Sequence, residues 1–195
     1  MTTWLHGALI VEGQFFGKFW MFKKWKPENV KNHSVLKNSI VAKVKENSVA
    51  RIPKISYIID DLFPKKTQVF IYNLQDHVKF YVVDGKPILI ELGYGEIFPF
   101  LYISMQYPGL LRPVIVFDGA LEAILRGADL MARGTFGVDE TYQKGEVVQV
   151  VLEGEESPFA IGIMDMDGNG ILARYDGVGV RIMHTIKDGL WNSFI

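Results

Sequence analysis

Residues 114–134 read VIVFDGALEAILRGADLMARG, and the second half of the chain is organised around them. Val114-Ile115-Val116-Phe117 is a β-branched, apolar run of the length of a buried strand. Asp118-Gly119 breaks that strand and starts a helix, with Asp118 placed to cap the orphan amides that follow. Leu121, Ile124 and Leu125 fall on one face, and Gly127 stops the helix where a positive φ costs least. A second strand is expected from Asp129 to Ala132, closing into Arg133-Gly134. Strand, capped helix, glycine, strand, glycine makes a scaffold with backbone amides and small residues around a groove.

Toward the C-terminus, Glu146 to Leu152 is a near-continuous β run. Phe159 to Met166 pairs with it across Glu153-Gly154-Glu155-Glu156, and Ile171 to Arg174 and Val180 to Ile186 supply later strands. Short strands, glycine turns and one early helix suit a small, mostly β barrel. Toward the N-terminus, residues 21–100 read as α+β. Asn38 to Ile52 is a helix with Ile40, Val41, Val44, Val49 and Ile52 leaning to one side. Pro53 interrupts, and Ile55, Ile58, Ile59, Leu62 and Phe63 give the stripe of a second helix that Pro64 ends. Strands follow at Gln68 to Leu74, His77 to Val83 and Pro87 to Leu92, with Asp84-Gly85 as a primed-turn hairpin signal. Phe98 to Tyr107 reads as a short helix or turn, and Pro108, Gly109 and Pro113 mark a boundary.

A length of 195 residues allows one large domain or two small ones, and 49% apolar content supplies a sizeable core. The absence of cysteine excludes a disulfide, a thiol nucleophile and cysteine-ligated zinc, and fits a cytoplasmic protein. Net charge is −1 but uneven: residues 21–100 carry 13 Lys/Arg against 8 Asp/Glu, and residues 101–195 carry 7 against 13. A basic half beside an acidic half suggests two surfaces that meet different partners. Residues 1–20 lack a basic leader region and any apolar run long enough to span a membrane. They read as a dispensable extension, non-native or from an upstream start, ahead of Met21; the alternative is an aromatic anchor for a partner.

Several separated motifs carry a family resemblance over about residues 21–195. Phe117-Asp118-Gly119-Ala120, Arg126-Gly127-Ala128-Asp129 and Met131-Ala132-Arg133-Gly134 resemble the opening of a PUA domain, an RNA-binding pseudo-barrel. Lys144-Gly145-Glu146-Val147-Val148, Ala160-Ile161-Gly162-Ile163 and Gly177-Val178-Gly179-Val180 follow in that family's order. His184 and the close Lys187-Asp188-Gly189-Leu190-Trp191 resemble one subfamily, the malignant T-cell-amplified sequence proteins, translation factors related to ligatin. Met21-Phe22-Lys23-Lys24, Pro64-Lys65-Lys66 and Tyr107-Pro108 sit as they do there. One departure stands out: the family usually has proline where this chain has Arg133, and arginine trades a fixed φ for a fork of donors suited to phosphate.

The resemblance implies an N-terminal α+β domain over residues 21–109 and a C-terminal PUA-type pseudo-barrel over residues 110–195. It implies a translation factor without catalysis that docks on small-subunit ribosomal RNA and handles the acceptor end of a tRNA. The roles implied are non-standard initiation, reinitiation or post-termination recycling, with density-regulated protein as heterodimer partner. By resemblance the RNA-binding positions are Gly119, Ala120, Arg126, Gly127, Ala128, Arg133 and Gly134. A ribosome-assembly or RNA-modification adaptor is the alternative, since PUA domains are widely reused. A fragment of a tRNA-modifying enzyme is a third reading.

The residues themselves give catalysis little support. His6, His33, His77 and His184 are scattered, and no phosphate-binding glycine loop is present. His184 is expected to bond backbone. No cofactor, metal, membrane contact or small-molecule substrate is expected. Arg126, Arg133, Arg174 and Arg181 stand out in the acidic half, as solvated surface or as phosphate contacts. Lys23, Lys24, Lys26 and Lys31, interleaved with Phe22 and Trp25, form a basic-aromatic patch, and Lys65 and Lys66 follow a helix end. They read as a solvated face or as ribosomal RNA or partner contacts. Asp165-Met166-Asp167-Gly168-Asn169-Gly170 imitates an EF-hand calcium loop, with Leu172 and Asp176 at its positions 8 and 12. Aspartate in place of the final glutamate and a β flank favour a tight turn between strands.

Overall fold

The computed structural model describes residues 3–5, 8–11, 14–16, 22–93, 95–173 and 176–195. Strands β1 (Thr3–Leu5), β2 (Ala8–Val11) and β3 (Gln14–Phe16) form a small antiparallel sheet of their own. Met21 and Phe19 lie outside the described residues. The rest of the chain begins with Phe22 and Trp25, both 3% exposed and packed in the core. A chain starting at Met21 is therefore expected to melt and to bind RNA as the full chain does. A fall of many degrees in Tm would instead give residues 1–20 a structural role.

The first large sheet has the order β4 (Asn32–Val35), β5 (Val69–Asn73), β6 (Lys79–Val83), β7 (Lys86–Glu91), β8 (Ile97–Pro99), all antiparallel. Asp84 and Gly85 take φ of 49° and 77°, the paired positive values of a type I′ turn, which fixes the β6–β7 register. Phe80, Ile90 and Phe98 then stand in one row across β6, β7 and β8 with no exposure at all. Helix α1 (Asn38–Arg51) packs on β8 through Val44 and Ser48, with Ile52 buried just beyond its end and Ile40 left 40% exposed. The second expected helix is split: Pro53–Tyr57 is a 3-10 turn and only α2 (Ile59–Leu62) is α-helical. Ile55, Ile58, Leu62 and Phe63 still point inward, so the apolar stripe is kept while the hydrogen-bond pattern changes. Helix α3 (Leu101–Gln106) leads to the second sheet.

That sheet contains β9 (Arg112–Val116), β10 (Leu130–Met131), β11 (Thr135–Phe136), β12 (Val147–Leu152), β13 (Pro158–Met164) and β14 (Val178–Thr185). Its order is β10-β14-β13-β12-β9-β11, with β9 and β12 parallel and the other pairs antiparallel, and it curls into a nearly closed barrel. Helix α4 (Asp118–Leu125) lies over it and sends Ile124 into a core with Val114, Val148, Val150 and Val180. Two short helices, α5 (Gly168–Leu172) and α6 (Gly189–Phe194), complete the described chain. The expected strand from Ile171 to Arg174 is not formed. Ile171 is buried as part of α5, and Arg174 lies outside the described residues.

The two sheets share a core. Val147, Ile161, Ile163, Met183 and Leu190 pack in the same cluster as Phe22, Trp25, Phe80 and Phe98. Arg51 of α1 donates to the Gly145 carbonyl while paired with Glu96. The Gly189 N–H donates to the Phe22 carbonyl at 2.8 Å, drawing the 22–25 turn onto the start of α6. Beneath it lies His184, without exposed side chain, its Nδ1 2.6 Å from Oδ2 of Asp188. The partner expected for His184 was backbone, and the structure supplies a carboxylate. A carboxylate only accepts, so Nδ1 carries the proton. Asp188 also accepts from the amides of Thr185 and Trp191, at 2.9 and 2.7 Å, and so caps α6. No helix among the described residues is long and apolar enough to cross a membrane.

Candidate nucleic-acid interface

Strand β9 delivers the chain to Phe117, whose extended backbone makes it the N-cap of α4; Asp118 is the first helical residue. Its carboxylate makes no capping bond, because it stands one position too late to reach back over the first amides. It acts there as a charge near the positive helix end. The Ala120 N–H donates to the Phe117 carbonyl at 2.9 Å, and the amides of Asp118 and Gly119 remain first-turn donors without helical acceptors. No atom lies within 4 Å of a Cβ built on Gly119, so this end of the helix is open. Ala120 is half-buried against the barrel core.

The other end of α4 closes in a Schellman motif. The Ala128 N–H donates to the Ala123 carbonyl at 2.9 Å and the Gly127 N–H to Ile124 at 2.8 Å, with Gly127 at φ 99°. Arg126 N–H donates to Glu122, so the amides of 126–128 are all committed. The backbone amides expected around the groove are therefore left available at the start of the helix, not at its end. Residues 126–128 offer small size instead, with Arg126 reaching out and pairing with Glu122 at 3.1 Å.

Lys23 crosses from the other half of the chain. Its ammonium donates to the Arg126 carbonyl, and its Cδ would lie 3.4 Å from a Cβ on Gly127. A cation on the last carbonyls of a helix complements the dipole as well as the bond. Lys24 is exposed beside it. Phe22 and Trp25, which one of the two readings offered to RNA, are buried against Phe80 at centroid distances of 5.9 and 5.8 Å. They anchor the turn that presents the lysines. The cavity between Lys23, Leu125, Gly127, Thr185 and Asp188 measures about 40 Å³, room for a water and far too little for a base.

The strand expected from Asp129 to Ala132 is reduced to Leu130–Met131, followed by a 3-10 turn over Ala132–Gly134. Ala132 turns inward because Gly179 has no side chain to keep it out; a Cβ there would lie 3.0 Å from Ala132 Cα. Asp129 Oδ1 accepts the Ile182 N–H at 2.8 Å, pinning the loop to β14. Burial raises its pKa above the usual carboxylate value, partly offset by that bond and by the nearby Arg181 charge. Arg133 then projects, 69% exposed and paired with Asp176 at 2.7 Å, while Gly134 rests on Leu130. An exposed pair of this kind contributes under about 1 kcal/mol, so a phosphate can displace Asp176. Arg181 is held by Asp165 with its side chain 17% exposed. Lys65 and Lys66 form the exposed turn between α2 and β5, with no hydrogen bond or ion pair to the 126–134 segment. Of the expected positions, then, the structure gathers Arg126, Gly127 and Ala128 under Lys23, and places Gly119, Ala120, Arg133 and Gly134 around the rest of the helix and its following turn.

The EF-hand-like stretch is not the tight turn expected of it. Asp167 Oδ1 accepts the Gly170 N–H at 2.8 Å and caps α5, Asp165 pairs with Arg181, and Asp176 pairs with Arg133. The dipeptides Asp-Gly and Asn-Gly permit a hairpin, but burying Ile171 and capping a helix satisfies more groups. Titration calorimetry with calcium should give no saturable heat at micromolar concentration. Saturable binding abolished by Asp165→Ala would overturn that expectation.

Sequence reasoning passed over one pair. Phe117 is 54% exposed and lies flat on Phe136, with ring centroids 4.4 Å apart and planes at 16°. An aromatic at the end of a core strand reads as core, and only the β9–β11 pairing brings Phe136 beside it.

Family models place this geometry. A Pre-PUA-like domain model matches residues 24–108, and the PUA domain model matches residues 113–186. Translation machinery-associated protein 20 of Saccharomyces cerevisiae is 33% identical over 88% of this chain and 98% of its own length. Malignant T-cell-amplified sequence 1 of Danio rerio is 30% identical, covering 88% of this chain and 97% of that protein. The crystal structure of a hypothetical protein from the hyperthermophilic archaeon Pyrococcus horikoshii superposes with a TM-score of 0.69 at 26% identity, over 84% of this chain and 100% of that one. With relatives at this identity matched along nearly their whole length, the chain belongs to the family of the malignant T-cell-amplified sequence proteins and translation machinery-associated protein 20.

Proposed function

We propose that the protein is a non-catalytic, RNA-binding translation factor. It acts on the small ribosomal subunit in non-standard initiation, reinitiation or post-termination recycling. Residues 110–195 contact the acceptor end of a tRNA. Residues 21–109 face ribosomal RNA or a protein partner, through Lys23, Lys24, Lys65 and Lys66. The partner is density-regulated protein, and the setting is the cytoplasm. The observation that carries this reading is the near end-to-end match to a relative whose name ties it to the translation machinery. The surface supports it: Arg126 and Arg133 are exposed, each paired with an exposed carboxylate that phosphate can replace. Affinity then comes from backbone contacts and discrimination from the shape of a single-stranded end.

Co-sedimentation with purified small subunits and with pre-ribosomal particles tests the role. Preference for mature subunits supports it, and preference for precursors supports an assembly adaptor instead. At the groove, Arg133→Ala should weaken tRNA binding and reduce the slope of log K against log salt by about one phosphate contact. Parallel lines of equal affinity would make Arg133 a merely solvated residue.

A further inference from the structure

We propose that the Phe117–Phe136 pair is a stacking platform for one unpaired nucleobase, a binding subsite distinct from the Arg126–Ala128 loop. The inference rests on the RNA-binding reading above and adds to it where a base goes. Large apolar side chains more than half exposed are few among the described residues, and Phe117 is one. Phe136 backs it at 4.4 Å and 16°, so the pair is already stacked and presents a rigid flat face. The backbone beneath is fixed as well. Thr135 and Phe136 of β11 pair with Val116 and Ile115 of β9, and the Thr135 hydroxyl bonds the Met131 carbonyl at 3.1 Å. Little side-chain freedom is left to lose when a third ring arrives.

The surroundings fit a strand of RNA better than a protein surface. Gly119, two residues on, is open and leaves room beside the ring. Arg133 sits in the turn that runs directly into β11, supplying the cation for the backbone on one side. The Arg126–Ala128 loop lies at the far end of α4, about 12 Å along an eight-residue helix, continuous with the same face. Asp118 follows Phe117, and the Glu153 N–H bonds the Val116 carbonyl at 3.0 Å, so two acidic residues flank this strand end in the backbone. Phosphate is thereby directed toward Arg133, and what rests on Phe117 is the uncharged face of a base. Stacking is indifferent to base identity, because every base has such a face.

This division makes the test sharp. Short single-stranded RNAs, each carrying 2-aminopurine at one position, would be titrated against the full chain. One position should be quenched on binding, through stacking. Phe117→Ala should lower affinity roughly tenfold and remove the quench, while leaving the slope of log K against log salt unchanged. Arg133→Ala should do the reverse: reduce the slope and keep the quench. Phe117→Trp should retain affinity and Phe117→Leu should lose it, which separates stacking from simple apolar contact. Because Phe117 is exposed, its variants should melt with the wild type. RNA binding that persists with equal affinity in Phe117→Ala, and without a quench at any position, would overturn the platform while sparing the RNA-binding reading. Absence of salt-dependent RNA binding in the wild type would overturn both.

Discussion

Asp188→Ala should destabilise the protein by about 3–5 kcal/mol, more than any surface change near the groove. One buried carboxylate satisfies three donors here: the amides of Thr185 and Trp191 and the ring of His184. Removing it uncaps α6, which alone costs about 1 kcal/mol, and strands a His184 ring whose Nε2 is already buried without a partner. His184 lies between the rings of Phe22, Phe100 and Trp191. Asp188→Asn keeps the shape and one acceptor oxygen and should lose less. Chemical denaturation of the three proteins checks the ranking. Equal midpoints for wild type and Asp188→Ala would mean that the network contributes little.

Gly189→Ala is the second large effect, and its sign runs against helix propensity. At an exposed helical position alanine would stabilise by up to about 1 kcal/mol. Here its methyl would lie 2.4 Å from the Trp25 carbonyl oxygen, 2.7 Å from the Trp25 nitrogen and 2.9 Å from the Phe22 carbonyl oxygen. All three are backbone atoms, so no rotamer change relieves the clash. The 22–25 turn must lift away, at a cost of about 1–3 kcal/mol. Lys23 moves with that turn, so tRNA binding should weaken together with the fall in Tm. A variant of unchanged Tm would show that the turn yields without strain.

What the sequence disclosed follows from which signals local chemistry controls. Gly127 and Asp84-Gly85 were readable because a positive φ is a property of the residue itself. The boundaries of α1 were readable to within a residue, since Pro53 fixes its end. β4 was invisible: all four residues are exposed, and alternation exists only where one face is buried. α5 was misread because Asp167-Gly168 serves a helix cap as readily as a turn, and the burial of Ile171 decides between them. The site divides the same way. Arg126, Gly127 and Arg133 announce themselves by type, whereas the choice between buried Trp25 and exposed Phe117 depends on sheet pairing far along the chain. Aromatic residues look alike until the partner that covers them is known.

The shared core also bears on how such a protein can be inherited and handled. Ile161, Ile163, Met183 and Leu190 belong to the barrel by sequence, yet residues from the other half keep them dry. A chain severed near Pro108 would present them to water as a sticky floor, at roughly 1.5–3 kcal/mol for each side chain laid bare. The RNA-binding half is therefore not a portable part. A recombination event that moved it into a new gene would have to bring a replacement lid.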